Sequence, residues 1–394
     1  MNKKIIAISV VIVLVVASVA VYFALNNRDK DEELNILAAV NQEGSGIYIK
    51  SDVDKNTMFD YSTPIPTPLK EGWGGKIIGT PGTRSIQHTQ IMEIVKNQLN
   101  MDFIMYTVGM SLDSNKVYFD AGVSSASLAL NNTLIAGGIL WQPQYQKIIS
   151  DSSGKFKGLA TTDLLFPEHP CCVLAGVHAY TSTHYNETVK LLAAYIRAVN
   201  WVNDALANEA GDNYARLLAV AKNHAGSSNF TENELKEALR TVVYTYGNNS
   251  SNPMGDLGNN IEDMIENLTE ANAIDLKVQD SGFDNVGEFV DRFIEDKFLI
   301  AAMKVVSGAE PVPGEVGDKA SITVAVITGD IHQIAMRMAD ELGYFKEYGL
   351  NVSFSPAVNG SGVATSIQNG NSSFGLLGAP PLTISVINGK LIKA

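Results

Sequence analysis

The stretch ITVAVITGDIHQIAMRMADELGYFKEYGLNVSF, residues 322–354, decides the fold. Ile322–Ile327 is apolar apart from Thr323 and rich in β-branched residues, and it reads as a strand. Gly329-Asp330-Ile331-His332 interrupts it as a loop. Gln333–Lys346 predicts a helix, stopped at Gly349, and Leu350–Phe354 predicts a second strand. Strand, helix and strand in so short a span make a parallel crossover unit.

The alternation continues to the C-terminus. Gly360-Ser361-Gly362 opens a helix through Gln368, Phe374–Leu377 is a strand, and Gly378-Ala379-Pro380-Pro381 opens a helix to Asn388. Lys390–Ala394 reads as the beginning of another strand. Before residue 321, Ser307–Ala320 holds two prolines, three glycines and three acids, a linker by composition. Further upstream the chain is helical: Asn186–Ala207, Tyr214–Asn223, Thr231–Tyr244, Ile261–Ala271 and Val286–Val305. Before that it alternates again. Leu34–Val40 is a strand, Asn41–Gly46 a Gly-rich turn, and Ile47–Lys50 a strand. Ser62–Gly75, with Pro64, Pro66 and Pro68, reads as an irregular connector. Lys76–Thr80 is a strand, Pro81–Ser85 a turn, and Ile86–Leu99 a helix. Phe103–Val108, Leu134–Leu140, Leu159–Thr161 and Cys172–Val177 are further strand candidates.

Composition narrows the function. The chain has 394 residues, with 29 Lys+Arg against 42 Asp+Glu and a net charge of -13. That balance disfavours nucleic acid, which is bound through clustered cations. Hydrophobic residues make up 45%, enough for a real core. Two adjacent cysteines and six scattered histidines offer no disulfide framework and no structural zinc spacing. No metal and no cofactor are expected. Ile5–Leu25 runs 21 residues without a charge behind a short basic start. As a helix it would span about 30 Å, the thickness of a hydrocarbon core. It predicts a single-pass anchor with the globular part on the extracytoplasmic face, by the positive-inside rule. Ala17-Ser18-Val19-Ala20 leaves a cleaved signal, and so a secreted product, open.

Residues 322–389, through ITVAVITGDIHQIA, ELGYFKEYGLNV, NGSGVATSIQNG and FGLLGAPP, resemble the opening of extracytoplasmic solute-binding proteins of ABC importers. The family is the one serving nitrate, aliphatic sulfonates, taurine and the thiamine-pyrimidine precursor. GGKIIGTPGTRS (Gly74–Ser85) and LWQPQ (Leu140–Gln144) resemble its second-lobe elements. The resemblance implies an α/β two-lobed periplasmic-binding-protein-like fold (type II) that closes on a small anion and delivers it to an ABC permease and its ATPase. It implies a receptor, not an enzyme; a sensing ectodomain and a pyrimidine-precursor synthase-like enzyme are the alternatives. The order is inverted relative to the family, which implies a circular permutation; a tandem fragment or an assembly error would give the same order. The expected divisions are 1–33 anchor or signal, 34–60 first-lobe strands, 61–165 second lobe, 166–306 return to the first lobe, 307–320 linker and 321–394 first-lobe segment.

Three turns lie at strand ends before helices: Thr80–Ser85, Asn359–Gly362 and Gly378–Pro381. Free N–H groups at helix starts accept an anion without net positive charge, though each turn also serves as a plain helix cap. The expected ligand contacts are Thr83, Ser85, Gly360, Ser361, Gly378 and Ala379, with His332, Trp141 and Gln42 less directly placed. Glu43 could meet a cationic group, and Arg84 an anion. Cys171-Cys172 follows His169, a pairing open to nucleophilic or soft-metal chemistry. The pair lacks an oriented third partner and reads as small buried hydrophobes opening a strand.

Overall fold

A computed structural model describes residues 33–394 except 168, 227–228, 248–251, 271 and 315–319. The apolar run expected as an anchor or signal lies outside the described residues. Among the described residues no helix is long and apolar enough to cross a membrane.

Strands are numbered along the chain. They are β1 Leu34–Glu43, β2 Ser45–Lys50, β3 Phe59–Asp60, β4 Thr67–Pro68, β5 Ile77–Gly79, β6 Asp102–Met105 and β7 Lys116–Asp120. There follow β8 Gly137–Trp141, β9 Phe156–Thr161, β10 Pro170–Val177, β11 Val242–Tyr244, β12 Ala320–Ile327, β13 Leu350–Ala357 and β14 Phe374–Gly378. Two six-stranded sheets form two lobes. The first has the order β11-β1-β10-β14-β12-β13, the second β6-β7-β5-β8-β2-β9. In the first, β12 runs parallel to β13 and β14, while β10 is antiparallel to both β14 and β1. The C-terminal segment therefore supplies half of a sheet whose other three strands lie upstream at 34–43, 170–177 and 242–244.

The strands that read as continuous apolar runs occupy the sheet interior. Val324, Ala325 and Val326 are buried, as are Leu376 and Leu377 opposite Leu174 and Val173. Helices cover both faces. The long helix Tyr185–Ala207 packs on the helices Lys297–Ser307 and Ile334–Glu341. The second sheet separates two smaller apolar clusters, one around Trp73, Ile91 and Ile139, the other around Tyr48, Tyr118 and Tyr145.

Several expectations require correction. The strand β2 pairs with β8 and β9 in the second sheet, so residues 45–60 belong to the second lobe and the crossing falls at Gly44. Chain direction is reset there by two consecutive positive-φ residues, Glu43 at 64° and Gly44 at 88°. The connector 62–75 contains β4 and a helical turn, Lys70–Trp73, pinned because the buried Trp73 donates its indole N–H to the Met58 carbonyl at 3.0 Å. Thr231–Tyr244 is not one helix. Glu232–Arg240 is helical and β11 then pairs with β1, since an open sheet edge outweighs helix periodicity. The helix expected over Val286–Val305 breaks at Ile294, whose neighbour Glu295 donates its N–H to the Ile36 carbonyl of β1. Lys390–Ala394 forms no strand. Both edges of β1 are already taken by β10 and β11, and the chain instead ends with the Ala394 N–H on the Ser281 carbonyl.

Candidate functional site

The chain passes between lobes at Glu43–Ser45 and again between β9 and β10. Thr162 ties the two crossings together. Its hydroxyl donates to the Ser45 carbonyl at 3.1 Å and accepts from the Ser45 N–H at 3.2 Å. Above them lies a cavity of about 870 Å³ walled by both lobes.

The second-lobe wall begins at the end of β5, where Pro81–Ser85 turns into the helix Ile86–Met92. Ser85 caps that helix through the His88 N–H and donates its own hydroxyl to the Gly82 carbonyl at 2.8 Å. Its side chain therefore already has two partners, and Thr83 is the freer hydroxyl. The end of β7 supplies Ser124, Ser125 and Ser127, and Ser125 caps the helix Ala126–Asn131. Trp141 ends β8, and Lys147 extends from the helix Gln144–Ile149.

The first-lobe wall is built from the ends of β12, β13 and β14: Thr328–Asp330, His332, Val358–Ser361, Gly378 and Pro381. Asn359 caps the helix Gly360–Gln368 by accepting from the Gly362 N–H at 3.0 Å. The third turn is a poorer anion seat than its glycine suggested. Pro380 and Pro381 follow Ala379 in the first helical turn and carry no N–H.

His332 is the most constrained group in the wall. It is 1% exposed. Nδ1 lies 2.6 Å from Asp330 Oδ1, and Nε2 lies 3.1 Å from the Gly44 carbonyl at the crossing. Both partners are acceptors, so both ring nitrogens donate and the ring is an imidazolium. Burial by itself would depress its pKa, but the Asp330 carboxylate, the Cys171 sulfur and the two hydrogen bonds hold it up at about 9. Tyr244 donates to the Ile331 carbonyl at 3.0 Å, and His224 Nε2 reaches the Asp330 carbonyl at 3.0 Å. The loop 329–332 is thus tied to the hinge, to the first sheet and to the helix Asp212–Ala225.

Of the residues expected at the ligand, Thr83, Ser85, Trp141, His332, Gly360, Ser361 and Gly378 line this one cavity. Ala379 and Gln42 do not. Ala379 is fully buried behind Gly378 at the helix start, and Gln42 sits within β1, paired in register with Val243 and Pro170. Arg84 also lines the cavity, as do Cys171 and Cys172, whose burial at 4% exposure fits the expected small hydrophobes. The reading from sequence missed Ser124, Ser125, Ser127, Lys147 and Asn229. Among the described lining residues Arg84, Lys147 and His332 are cations and Asp330 is the one carboxylate. No group of three or more His, Cys, Asp or Glu among the described residues could hold a metal ion.

Comparison with known proteins gives the lineage. Residues 7–219 match the NMT1-like family. The chain belongs to that family. Residues 331–394 of this NMT1-like chain separately match the NMT1/THI5-like family. Membership bears out the family resemblance carried by the C-terminal and middle motifs. Two solved structures are distantly similar to this NMT1-like chain. One is the ligand-binding component of an ABC-type import system from Staphylococcus aureus with zinc bound: 13% identity, 71% of this chain, 78% of that one, TM-score 0.43. The other is the periplasmic nitrate-binding protein NrtA from Synechocystis PCC 6803: 12% identity, 77% of this chain, 76% of that one, TM-score 0.48. No curated protein matches.

Proposed function

We propose that this chain is the solute-binding receptor of an ABC-type importer, that it captures a small anion between its lobes and that it hands the anion to a membrane permease coupled to an ATPase. One observation carries the reading. A chain of net charge -13 presents, on the walls of its inter-lobe cavity, three cations against one carboxylate among the described residues. Hydroxyls of Thr83, Ser124, Thr328 and Ser361 surround them, and Trp141 offers a flat apolar face. Such a wall suits a compact oxyanion, of the nitrate, sulfonate or carboxylate kind, with or without a small organic tail. Thr83, Ser361, Gly360, Gly378, His332 and Trp141 are the proposed contacts, with Ser85 and Arg84 at the second-lobe helix start. Capture takes place on the extracytoplasmic face, with residues 5–25 as anchor or signal. Native mass spectrometry of the purified protein, followed by calorimetry with nitrate, taurine, alkanesulfonates and an aminopyrimidine, tests it. A bound anion is expected; affinity for neutral or cationic solutes alone would refute it.

The same reading includes a permuted chain order. Three features support it. β1 and β14 both run antiparallel to β10 and so run parallel to each other, the relation a crossover through the helix Ala379–Gly389 would give. The segment 275–292 touches both ends. Asn388 Oδ1 accepts from the Asp275 N–H at 2.8 Å, and Asn35 Nδ2 donates to the Arg292 carbonyl at 2.9 Å. The two family matches fall on separate stretches, the NMT1/THI5-like one at the C-terminus. Joining Ala394 to Leu34 and opening the chain within 307–320 should give a folded protein of unchanged ligand affinity. A rearranged chain that cannot fold would reject the permutation.

A further inference from the structure

Adjacent residues in a regular strand point to opposite faces of the sheet. Cys171 and Cys172 do not. Along β10, Cys172 pairs with Asn41 and Pro170 pairs with Gln42, leaving Cys171 as an extra, bulged residue. The bulge turns its thiol back towards its neighbour, so the two sulfurs lie 3.9 Å apart. Both thiols are free, and both line the inter-lobe cavity. Their surroundings are polar. Asn41 accepts the Cys172 N–H at 3.2 Å and reaches the Cys171 thiol, while Gln333 reaches the Cys172 thiol. The Cys172 thiol, with the His332 imidazolium nearby, lowers the Cys171 pKa from its ordinary value, favouring the nucleophilic thiolate.

We propose that the bulged Cys171–Cys172 pair is a two-point dithiol site in the cleft wall that takes trivalent arsenic, as arsenite or a monosubstituted organoarsenical. The donor count decides the class. A tetrahedral cation needs three or more ligands, and no such group exists among the described residues, while a linear two-coordinate soft cation would hold the two sulfurs on opposite sides of itself, farther apart than 3.9 Å. Trivalent arsenic carrying one organic or hydroxyl group needs two thiolates and nothing else. With phenylarsine oxide, two As–S bonds form and the arsenic–oxygen bond is lost. The two thiol protons leave with that oxygen as one water, and arsenic stays trivalent, so no oxidant or reductant enters. The inference goes beyond anion capture and does not depend on which anion the cleft takes.

The test treats the reduced full chain with phenylarsine oxide and counts arsenic by intact mass. One phenylarsenic group per folded chain is expected, released by dimercaptopropanol but retained against excess monothiol. Cys171→Ser and Cys172→Ser should each lower that retention about a hundredfold, the scale of losing one of two linked attachments. Unchanged retention in either folded variant would overturn the proposal. So would adduct formation only after unfolding in urea, because the thiols would then be sealed from the cleft. Should a serine variant fail to fold, release of the wild-type adduct by monothiol as readily as by dithiol overturns the proposal by itself.

Discussion

Replacing Gly44 by alanine strikes the crossing where the two lobes meet. Gly44 has φ +88°, and a Cβ there would stand 2.3 Å from His332 Nε2 and 2.9 Å from a Val242 methyl. Three costs combine. A non-glycine residue in this backbone region loses about 1–2 kcal/mol. Forcing a methyl into a filled site costs about 1–3 kcal/mol. Displacing His332 strips a charged donor from the Gly44 carbonyl, a further contribution of about 1.5–3 kcal/mol. These overlap, because a shifted His332 relieves the clash, so about 3–5 kcal/mol is expected. Gly308 supplies the control: its φ is +75° and nothing lies within 4 Å of an added Cβ. Gly308→Ala should cost about 1 kcal/mol from backbone conformation alone. Urea unfolding at constant slope reads both variants. If Gly44→Ala falls within about 1 kcal/mol of Gly308→Ala, His332 is not seated against the hinge, and the coupling argued for the cleft fails.

Three further outcomes are expected. Burial lowers the pKa of His88 from 6.5 to about 4; its unfolded form therefore binds a proton between these values that the folded form refuses. Stability should fall as pH drops from 6.5 towards 4, by up to about 3 kcal/mol at 1.36 kcal/mol per pKa unit, and His88→Gln should flatten the urea-midpoint profile over that range. His332, raised to about 9, contributes stability that is complete below 6.5 and is lost as pH rises through 9; Asp330→Asn should drop its titration, followed by NMR, because burial then acts without the carboxylate. Thr83→Ala with Ser85→Ala should weaken anion binding by about 1–3 kcal/mol, and the loss of the Ser85 cap should lower stability by about 1 kcal/mol; unchanged affinity in calorimetry would move the anion away from this turn.

What the sequence disclosed follows from how locally each feature is encoded. Ile322–Ile327 and Phe374–Leu377 are legible because central parallel strands need apolar residues on both faces. The strand Lys116–Asp120 is short and ends in charges, and Val242–Tyr244 continues an apolar pattern begun in a helix, so both pass unnoticed. The site divides along the same line. Thr83, Gly360 and Gly378 are found because small residues follow recognisable strands. Ser124, Ser125 and Ser127 are missed because the strand before them is missed. Lys147 and Asn229 come together only by tertiary folding, where the ammonium of Lys147 donates to the Asn229 carbonyl across the lobes. The bulge at Cys171 depends on register against Asn41, which no local pattern records.

The strand order also sets a timetable for synthesis. The second sheet draws all its strands from Ser45 to Thr161, so that lobe can close early and by itself. The first sheet cannot. β10 ends at residue 177 and its partner β14 begins at residue 374, a delay of 374 − 177 = 197 positions. At about 5–20 residues per second, the β10 edge waits roughly 10–40 s for the strand that covers it. β1 can cover one edge of β10 early, but the other, left open for that long, is exposed to edge-to-edge pairing with other chains. A nascent chain of this protein therefore calls for a holding factor, or for a late, cooperative closure of its first lobe.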